Sequence, residues 1–313
     1  MKRNAALVAG VIVMLGCGSG ERARSADSAD GAMEAAPSQV ASVDGFSTPE
    51  SVLWDADQGV WFVSNINGSP TAKDGNGFIA RLKADGSLDS LRFVEGGRGG
   101  VTLNAPKGMA LQGDTLWVAD IDAVRGFDRH SGAPVASVDF GSQATFLNDI
   151  AAGPGGTLYI TDTGIGFDAQ GQVTHPGVDR IFALKGRTVS TAAEGAWLAS
   201  PNGIMWDPAA SGFVVVPFGG TELLRWSPGS RTADTIGTGP GSQDGVVVLP
   251  DGRILVSSWA DSTVFSAGSG ADTTVVRGVN SPADIGIDPA RGWLGIPLFL
   301  ENRVVFWRVS GPA

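Results

Sequence analysis

The chain has 313 residues and a formal net charge of −10 at pH 7, with 46 glycines and 17 prolines. A chain this acidic lacks the surplus of lysine and arginine that neutralises phosphates, which argues against a nucleic-acid-binding protein. Cys17 is the only cysteine, so an internal disulfide and a cysteine metal site are both excluded.

Residues 1–16 are predicted to be a signal peptide. Lys2 and Arg3 precede an apolar run over residues 5–15, which is too short to span a bilayer. The segment Met14-Leu15-Gly16-Cys17 resembles a bacterial lipobox. We therefore expect Cys17 to carry the acyl chains of an exported, membrane-anchored lipoprotein. The alternative is an ordinary secretory signal that happens to be followed by a cysteine.

Residues 17–38 are predicted to be a flexible tether. The segment is rich in Gly, Ser, Ala, Asp and Arg and contains too little large apolar surface to form a core. From residue 39 to 313 we expect one domain, whose length is normal for a repeat architecture.

One short motif recurs six times in this domain, and its first copy is Pro49-Glu50-Ser51-Val52-Leu53-Trp54. We call the residue after the usual proline the ring position. The six ring positions are Glu50, Lys107, Asn148, Asn202, Asp244 and Ala283. They are separated by 57, 41, 54, 42 and 39 residues, which is the spacing of propeller blades or solenoid units.

Each repeat is predicted to contain four strands, and repeat five shows them most clearly. Continuous apolar and β-branched runs bounded by Pro and Gly turns are typical of strands covered on both faces. In repeat five these runs are residues 245–249, 253–258, 262–265 and 273–276. Six such repeats predict an all-β fold, a six-bladed β-propeller with four antiparallel strands per blade.

The N-terminal strand is predicted to close the ring. The chain ends soon after residues 303–307, the third strand of repeat six. The segment Val40-Ala41-Ser42-Val43-Asp44 repeats Val135-Ala136-Ser137-Val138-Asp139, which is the fourth strand of repeat two. We therefore expect residues 39–45 to form the outer strand of the last blade, the alternative being a chance match.

One face of the propeller is predicted to carry the function. Each first strand runs outward from its ring position and the second strand returns, so the loops after the second strands lie over the ring. Two of these loops are long, residues 65–77 and 163–179, and we expect them to act as lids. The nine tryptophans fall mainly on strands, which favours a role between the blades over a sugar-binding platform.

The ordered motifs resemble the family of calcium-dependent propeller hydrolases that contains senescence marker protein, gluconolactonase and luciferin-regenerating enzyme. The resemblance extends from about Gly45 to Trp307. Its supporting segments are Pro49-Glu50-Ser51-Val52-Leu53-Trp54, Asn148-Asp149, Ser200-Pro201-Asn202-Gly203-Ile204-Met205-Trp206 and Asp244-Gly245. No single segment is decisive, because similar turns occur in every propeller, but the ordered set is more specific.

The resemblance implies a divalent cation, most simply Ca²⁺, in the central channel. It assigns Glu50, Asn202 and Asp244 as metal ligands and Asn148 as a contact to substrate or to a metal-bound water. Two carboxylates and two amide oxygens suit the all-oxygen coordination of Ca²⁺. A cation would also relieve the repulsion between Glu50 and Asp244. The alternative is that these side chains only bond to neighbouring blades or water.

Two ring positions depart from the family pattern. Lys107 brings a positive charge towards the proposed cation; it could swing aside, bind an anionic substrate group, stabilise an oxyanion or replace the metal. Ala283 has no polar group, although Asp284 beside it could support the site or simply be hydrogen-bonded or solvated.

The resemblance further implies hydrolysis of a lactone, with Asp244 guiding a water as general base. A cation-bound carboxylate is a weak base near neutrality, and Asp149 is a second candidate. His130 is predicted to lie in a turn away from the ring, whereas His175 in the 163–179 loop could reach it.

We therefore expect a monomeric, metal-dependent lactone or ester hydrolase that acts on a small molecule. The alternatives are a non-catalytic propeller that binds a ligand or partner, and a propeller lyase that uses the same metal.

Overall fold

A computed structural model describes residues 36–168, 170–267 and 273–309. The predicted signal peptide (residues 1–16), the lipidated Cys17 and most of the 17–38 tether lie outside these ranges and remain predictions. Within the described ranges, no helix combines the length and apolar content needed to cross a bilayer.

The described residues form six four-stranded antiparallel sheets arranged as a ring. Blade one contains β2 (Pro49–Asp55), β3 (Val60–Asn65), β4 (Phe78–Lys83) and β5 (Leu88–Glu95). Blade two contains β6 (Pro106–Gln112), β7 (Thr115–Asp120), β8 (Ala123–Asp128) and β9 (Pro134–Asp139). Blade three contains β10 (Leu147–Ala152), β11 (Thr157–Asp162), β14 (Arg180–Lys185) and β15 (Thr188–Glu194).

The second half of the ring repeats the same order. Blade four contains β16 (Pro201–Asp207), β17 (Gly212–Pro217), β18 (Glu222–Trp226) and β19 (Asp234–Thr238). Blade five contains β20 (Gln243–Val248), β21 (Ile254–Ser258), β22 (Thr263–Ala267) and β23 (Thr273–Arg277). Blade six contains β24 (Gly286–Asp288), β25 (Trp293–Leu298), β26 (Arg303–Arg308) and, from the other end of the chain, β1 (Ser38–Asp44).

The pairing of β1 with β26 confirms the predicted closure of the ring. The two strands are antiparallel, with Ser42 opposite Val305 and Asp44 opposite Arg303. The observed strand covers residues 38–44, one residue earlier than the predicted 39–45. Joining the two ends of the chain in one sheet leaves blade six with a paired outer strand, as in the other five blades.

The apolar core lies between the blades rather than at the centre of the ring. Trp61 packs on Phe306 across the junction of blades one and six, with ring centroids 5.0 Å apart. Its neighbour Phe62 points the other way and joins the cluster between blades one and two. Because successive strand residues point to opposite faces, a strand covered by blades on both sides needs a continuous apolar run.

Short elements lie in the loops. Among the described residues, four 3-10 helices occur, at Gly141–Gln143, Pro154–Gly156, Ala196–Leu198 and Phe299–Glu301. A small hairpin of β12 (Gly166–Phe167) and β13 (Val173–Thr174) forms within the long 163–179 loop of blade three.

Candidate functional site

The innermost strand of each of the first five blades is bulged at its ring position. In β2 the pairing register shifts between Pro49 and Val52, so Glu50 and Ser51 have no regular partner on β3. The same shift occurs in β6, β10, β16 and β20. A bulge bends a strand and redirects its side chains, and here two consecutive residues of a blade are brought to the central channel.

Hydroxyl groups on the neighbouring strands bond the backbone of three bulges. The N–H groups of Ser51, Asp149 and Gly245 donate to Ser64 Oγ at 2.9 Å, Thr161 Oγ1 at 2.9 Å and Ser257 Oγ at 2.8 Å. Two of these hydroxyls also donate to the next blade: Thr161 to the carbonyl of Asn202 at 2.7 Å and Ser257 to that of Ala283 at 2.8 Å. The ring positions are therefore fixed by a buried network that crosses blade boundaries.

Five ring positions line one cavity, which we call the ring cavity and which encloses about 100 Å³. These five are Glu50, Lys107, Asn148, Asn202 and Asp244, and Thr163 is a further polar residue of the lining. This confirms that the ring positions of blades one to five converge. The sixth, Ala283, is fully buried and does not line the cavity.

The two acidic ring residues each carry an unpartnered oxygen. Glu50 is 6% exposed and Asp244 is 5% exposed, and within the described part of the chain Glu50 Oε2 and Asp244 Oδ1 have no hydrogen-bond partner. Burial, followed by the nearby charge of Asp244, raises the pKa of Glu50 well above its usual range. The pKa of Asp244 is also raised well above its usual range, mainly by burial and secondly by the charge of Asp284. A buried carboxylate oxygen without a hydrogen bond is destabilising, so these two oxygens are suited to bind a ligand that the chain does not itself supply.

The neighbours of Asp244 only partly offset the effect of burial on its pKa. Trp259 and Asn202 lie close enough to act against the rise in its pKa, yet Asp244 Oδ1 and the indole Nε1 of Trp259 both stay without a partner among the described residues. Asn148 donates from Nδ2 to Thr163 Oγ1 at 3.1 Å, which leaves its amide oxygen as the group available to a ligand.

Lys107 is buried beside these acids but is not bonded to them. Its Nζ donates to the carbonyls of Pro70 at 3.2 Å and Ala105 at 3.1 Å and lies 4.3 Å from the centroid of the Phe146 ring. Burial lowers the pKa of Lys107 to about 8, with Glu50 acting in the opposite direction. Lys107 thus has its own partners and leaves Glu50 Oε2 and Asp244 Oδ1 unbonded.

Three of the residues that follow ring positions, Ser51, Asp149 and Asp284, line a second cavity of about 280 Å³, which we call the opposite cavity. It contains Asp149 and Asp284, the two further acids considered from the sequence. Asp149 accepts hydrogen bonds from the N–H groups of Ile150 and Ile204, both at 2.7 Å, and Asp284 accepts one from the hydroxyl of Ser51. The structure therefore places Asp149 and Asp284 outside the lining of the ring cavity.

Burial also governs the ionisation of this second pair. It raises the pKa of Asp149 well above the usual range, and it raises the pKa of Asp284 to about 7 against the opposing hydrogen bond from Ser51. Glycines make room for both carboxyls: a Cβ on Gly108 would lie 2.1 Å from Asp149 Oδ1, and one on Gly245 would lie 2.6 Å from Asp284 Oδ1.

Neither histidine lines the ring cavity. His130 is exposed beside Asp114, with Nε2 3.4 Å from Oδ1. His175 lies in the 163–179 loop, where its Nε2 is 2.7 Å from Asp179 Oδ1.

Both long loops contribute to the ring cavity, as their predicted position over the ring requires. The 65–77 loop supplies Ile66 and Pro70, and the 163–179 loop supplies Thr163, Ile165 and Phe167.

An aromatic wall lines part of this cavity. The sequence predicts that the ends of the second strands return near the ring positions, but it assigns no role to the aromatic residues there. Phe218, Trp259 and Phe299 directly follow the second strands of blades four, five and six and all line the cavity. By strand register, the equivalent residues of blades one to three are Ile66, Ile121 and Thr163, of which Ile66 and Thr163 also line the cavity. One position earlier, the side chains of Asn65, Asp120 and Asp162 accept backbone N–H groups of the incoming loops. Trp259 is thus a correction to the expectation that the tryptophans pack between blades. Its position at the ring-side end of a second strand was the available signal.

The donor set suits a hard cation more than a transition metal. Among the residues that the structure describes, no group of three or more His, Cys, Asp and Glu side chains is arranged to hold a metal. The ring cavity offers two carboxylates and two amides instead, and such oxygen donors favour Ca²⁺. The two unpartnered acidic oxygens are where a cation would fit.

No family model matches the chain, and no curated protein matches it. Solved structures do match. A gluconolactonase from Xanthomonas campestris has a TM-score of 0.63 at 17% identity, covering 87% of this chain and 89% of its own. A luciferin-regenerating enzyme has a TM-score of 0.60 at 14% identity, covering 89% and 96%. Regucalcin, a calcium-binding protein from Agrobacterium tumefaciens, has a TM-score of 0.58 at 15% identity, covering 86% and 92%.

These structural neighbours carry the same family names that the sequence motifs predicted. The similarity confirms the six-bladed propeller fold. At identities of 14% to 17% it does not by itself carry an activity over to this chain.

Proposed function

We propose that the protein is a metal-dependent hydrolase that opens a lactone or a related ester in the ring cavity. The observation that carries the proposal is the pair of buried, unpartnered oxygens, Glu50 Oε2 and Asp244 Oδ1. The gluconolactonase and the calcium-binding regucalcin among the structural neighbours support the reaction class and the cation.

Glu50, Asn148, Asn202 and Asp244 would hold the cation, with Ca²⁺ as the ion best suited to their oxygens. Charge balance supports this assignment. An ionised Glu50 and an ionised Asp244 in one buried cavity repel each other, and a divalent cation offsets both charges. When bound, the ion would polarise the carbonyl of the substrate and stabilise the charge that develops on its oxygen.

The reaction consumes one water: a bond forms between the water oxygen and the acyl carbon, the ring C–O bond breaks, and a hydroxy acid results. In our proposal Asp244 accepts a proton from the attacking water and returns it to the departing ring oxygen, which becomes the hydroxyl of the product. Burial raises the pKa of this carboxyl, which opposes the lowering by a cation and improves Asp244 as a base. Asp149 is a less suitable base, because two N–H groups occupy its oxygens.

Lys107 would bind the oxygen that becomes negative. An ammonium has three donors, and two of those on Lys107 are used by the carbonyls of Pro70 and Ala105. The third is available to the substrate. A pKa of about 8 keeps most of the Lys107 population charged at pH 7, as stabilising an oxyanion requires.

The test is hydrolysis of simple lactones, followed by acid release, with Ca²⁺ and after treatment with EDTA. We expect turnover only with the metal, and at least a hundredfold loss in Asp244→Asn and Lys107→Met. Asp234→Asn, which changes an exposed acid on the outer strand β19, should retain full activity. A product heavier than the substrate by one water identifies hydrolysis, and an unchanged mass identifies a lyase. Ligand binding without turnover would instead favour a non-catalytic propeller.

We also propose that the protein works outside the cytoplasm, held to a membrane through acyl chains on Cys17. The lipobox-like segment that ends at Cys17 supports this localisation. Mass spectrometry of the mature N-terminus would show a diacylated or triacylated cysteine, whereas an unmodified Cys17 would refute the anchor.

A further inference from the structure

We infer that the natural substrate carries an alkyl or aryl group next to its lactone and is not a polyhydroxylated sugar lactone. The inference rests on the proposed function and concerns the part of the ring cavity above its polar floor. Besides the five ring positions and Thr163, every residue lining this cavity is apolar or aromatic. They come from both long loops and from the ends of three second strands.

The wall is continuous over half of the ring. The Trp259 ring lies between Phe218 and Phe299, with centroid distances of 6.0 Å and 5.3 Å. Phe167, on the small hairpin of blade three, faces Phe146 at 6.5 Å. Phe167 is 38% exposed, and Phe218, Trp259 and Phe299 are partly exposed at the mouth. Ligand binding would therefore remove apolar surface from water, which favours an apolar ligand.

The wall offers few groups to receive hydroxyls. The hydroxyl of Thr163 already accepts from Asn148 at 3.1 Å and donates to the Pro201 carbonyl at 3.0 Å. Of the described residues lining the wall, this leaves the indole N–H of Trp259, which has no partner. A sugar lactone presents a hydroxyl on most of its ring carbons, and most of these would lie unpaired against aromatic carbon. Each would oppose binding.

The polar and apolar parts of the cavity are separated in a way that orients a substrate. Glu50, Asp244 and Lys107 lie on the floor, so the ester group belongs there. An alkyl or aryl substituent then extends along Phe218, Trp259 and Phe299. The indole N–H of Trp259 lies near Asp244, so the described residues of the aromatic wall have no further donor for a set of hydroxyls.

The test compares three lactones with the Ca²⁺-loaded protein: δ-valerolactone, the same ring with an added alkyl chain (δ-decanolactone), and glucono-δ-lactone. Burial of one methylene at about 0.8 kcal/mol corresponds to roughly a fourfold gain. We therefore expect kcat/KM to rise by roughly fourfold for each of the first methylenes, and to be at least tenfold lower for glucono-δ-lactone than for δ-valerolactone.

A matched pair of variants tests whether the preference for an alkyl chain depends on the aromatic wall. Phe299→Ala shortens the wall and should lower kcat/KM for δ-decanolactone by tenfold or more while changing that for δ-valerolactone by less than threefold. Leu300→Ala removes the adjacent side chain, which is 65% exposed and outside the cavity, and should change neither value. Trp259→Phe keeps the apolar surface, so the chain-length preference should persist in this variant. Thermal unfolding of each variant verifies that it is folded.

Binding of two non-hydrolysable lactams, one with an alkyl chain and one with sugar hydroxyls, separates the two proposals. Preferred hydrolysis of glucono-δ-lactone would overturn the apolar-substrate inference and leave the hydrolase proposal standing. Absence of turnover for all three lactones would overturn the hydrolase proposal. In that case, tighter binding of the alkyl lactam that is lost in Phe299→Ala would still support the apolar ligand class. Equal or weaker binding of that lactam would refute it.

Discussion

The replacement of Asp244 by Asn should abolish the stabilisation of the protein by Ca²⁺. Asp244 is 5% exposed and its Oδ1 has no partner among the described residues. Without metal, the charge on this carboxyl opposes folding, because burial raises its pKa. Asn has the same shape and no charge, so in EDTA at pH 8 we expect Asp244→Asn to melt at or above the temperature of the wild type.

With Ca²⁺, the wild type should instead melt at a higher temperature than Asp244→Asn. A site filled at 100 times its dissociation constant adds about 2.7 kcal/mol to the free energy of unfolding. An unfolding entropy of about 2.1 cal/mol/K per residue converts this to roughly a 5 °C rise in the Tm of a domain of this size. The wild type should show that rise and Asp244→Asn should not, so their melting temperatures cross between EDTA and Ca²⁺.

Scanning calorimetry of the wild type and the variant in both buffers measures the crossing. Asp234→Asn, an exposed acid on β19, is the control and should keep the full rise. A wild-type Tm that is the same in EDTA, Ca²⁺ and other divalent ions would refute the metal site. A full rise in Asp244→Asn would show that the cation binds elsewhere.

Three further predictions test other parts of the structure. Lys107→Met removes a positive charge beside the acids. At an effective dielectric constant of about 20, a unit charge repels a divalent ion ~10 Å away by about 3 kcal/mol, so Ca²⁺ binding should tighten by at least tenfold in titration calorimetry; weaker binding would mean that Lys107 organises the site. In EDTA, the pKa of about 7 for Asp284 means that the folded state keeps a proton which the unfolded chain releases near pH 4. The free energy of unfolding should therefore fall from about pH 4 to pH 7, and less so in Asp284→Asn; equal slopes in urea unfolding would contradict this. Phe306→Ala opens a cavity against Trp61 and should cost about 3–5 kcal/mol, or roughly 6–10 °C in Tm, whereas Val135→Ala at a 56% exposed site should have little effect.

The fold could be predicted from the sequence because each repeat has a recognisable local pattern of apolar and turn residues. The ring positions recur with turn residues beside them, and the strands are continuous apolar runs, so the number of blades follows from counting. The closing strand was also predictable, because residues 40–44 repeat residues 135–139. Its pairing with β26 depends on the same side-chain pattern that pairs β9 with β8.

The bulges at the ring positions could not be predicted from local sequence patterns. A bulge is a property of two paired strands, and the register shift in β10 between Leu147 and Ile150 leaves no mark on either strand alone. As a result, Asp149 was considered for the same site as Asn148, whereas the structure places it in the opposite cavity. The partners of Lys107 were equally unpredictable, since the carbonyl of Pro70 reaches it from a loop 37 residues away.

The four buried acids of the channel provide an internal comparison that bears on the function. All four have raised pKa values, so burial alone does not distinguish them. Asp149 and Asp284 are bonded by backbone N–H groups and by a hydroxyl, as expected of acids that hold blades together. Glu50 and Asp244, which lie at the bulges of β2 and β20, each keep an unpartnered oxygen.

The two pairs of acids, Asp149 with Asp284 and Glu50 with Asp244, differ in the hydrogen-bond donors that surround them. Gly108 and Gly245 of the preceding blades give Asp149 and Asp284 room. Backbone N–H groups then bond Asp149, and the hydroxyl of Ser51 bonds Asp284. The ring cavity offers Glu50 and Asp244 a lysine that is bonded elsewhere and an indole N–H that is still free. A channel serving only structure would be expected to satisfy both pairs, because an unpaired buried acid lowers stability. The unsatisfied pair therefore supports the proposed cation, for which two acids and two amides offer oxygen donors. The aromatic wall of the same cavity supports the proposed apolar substrate.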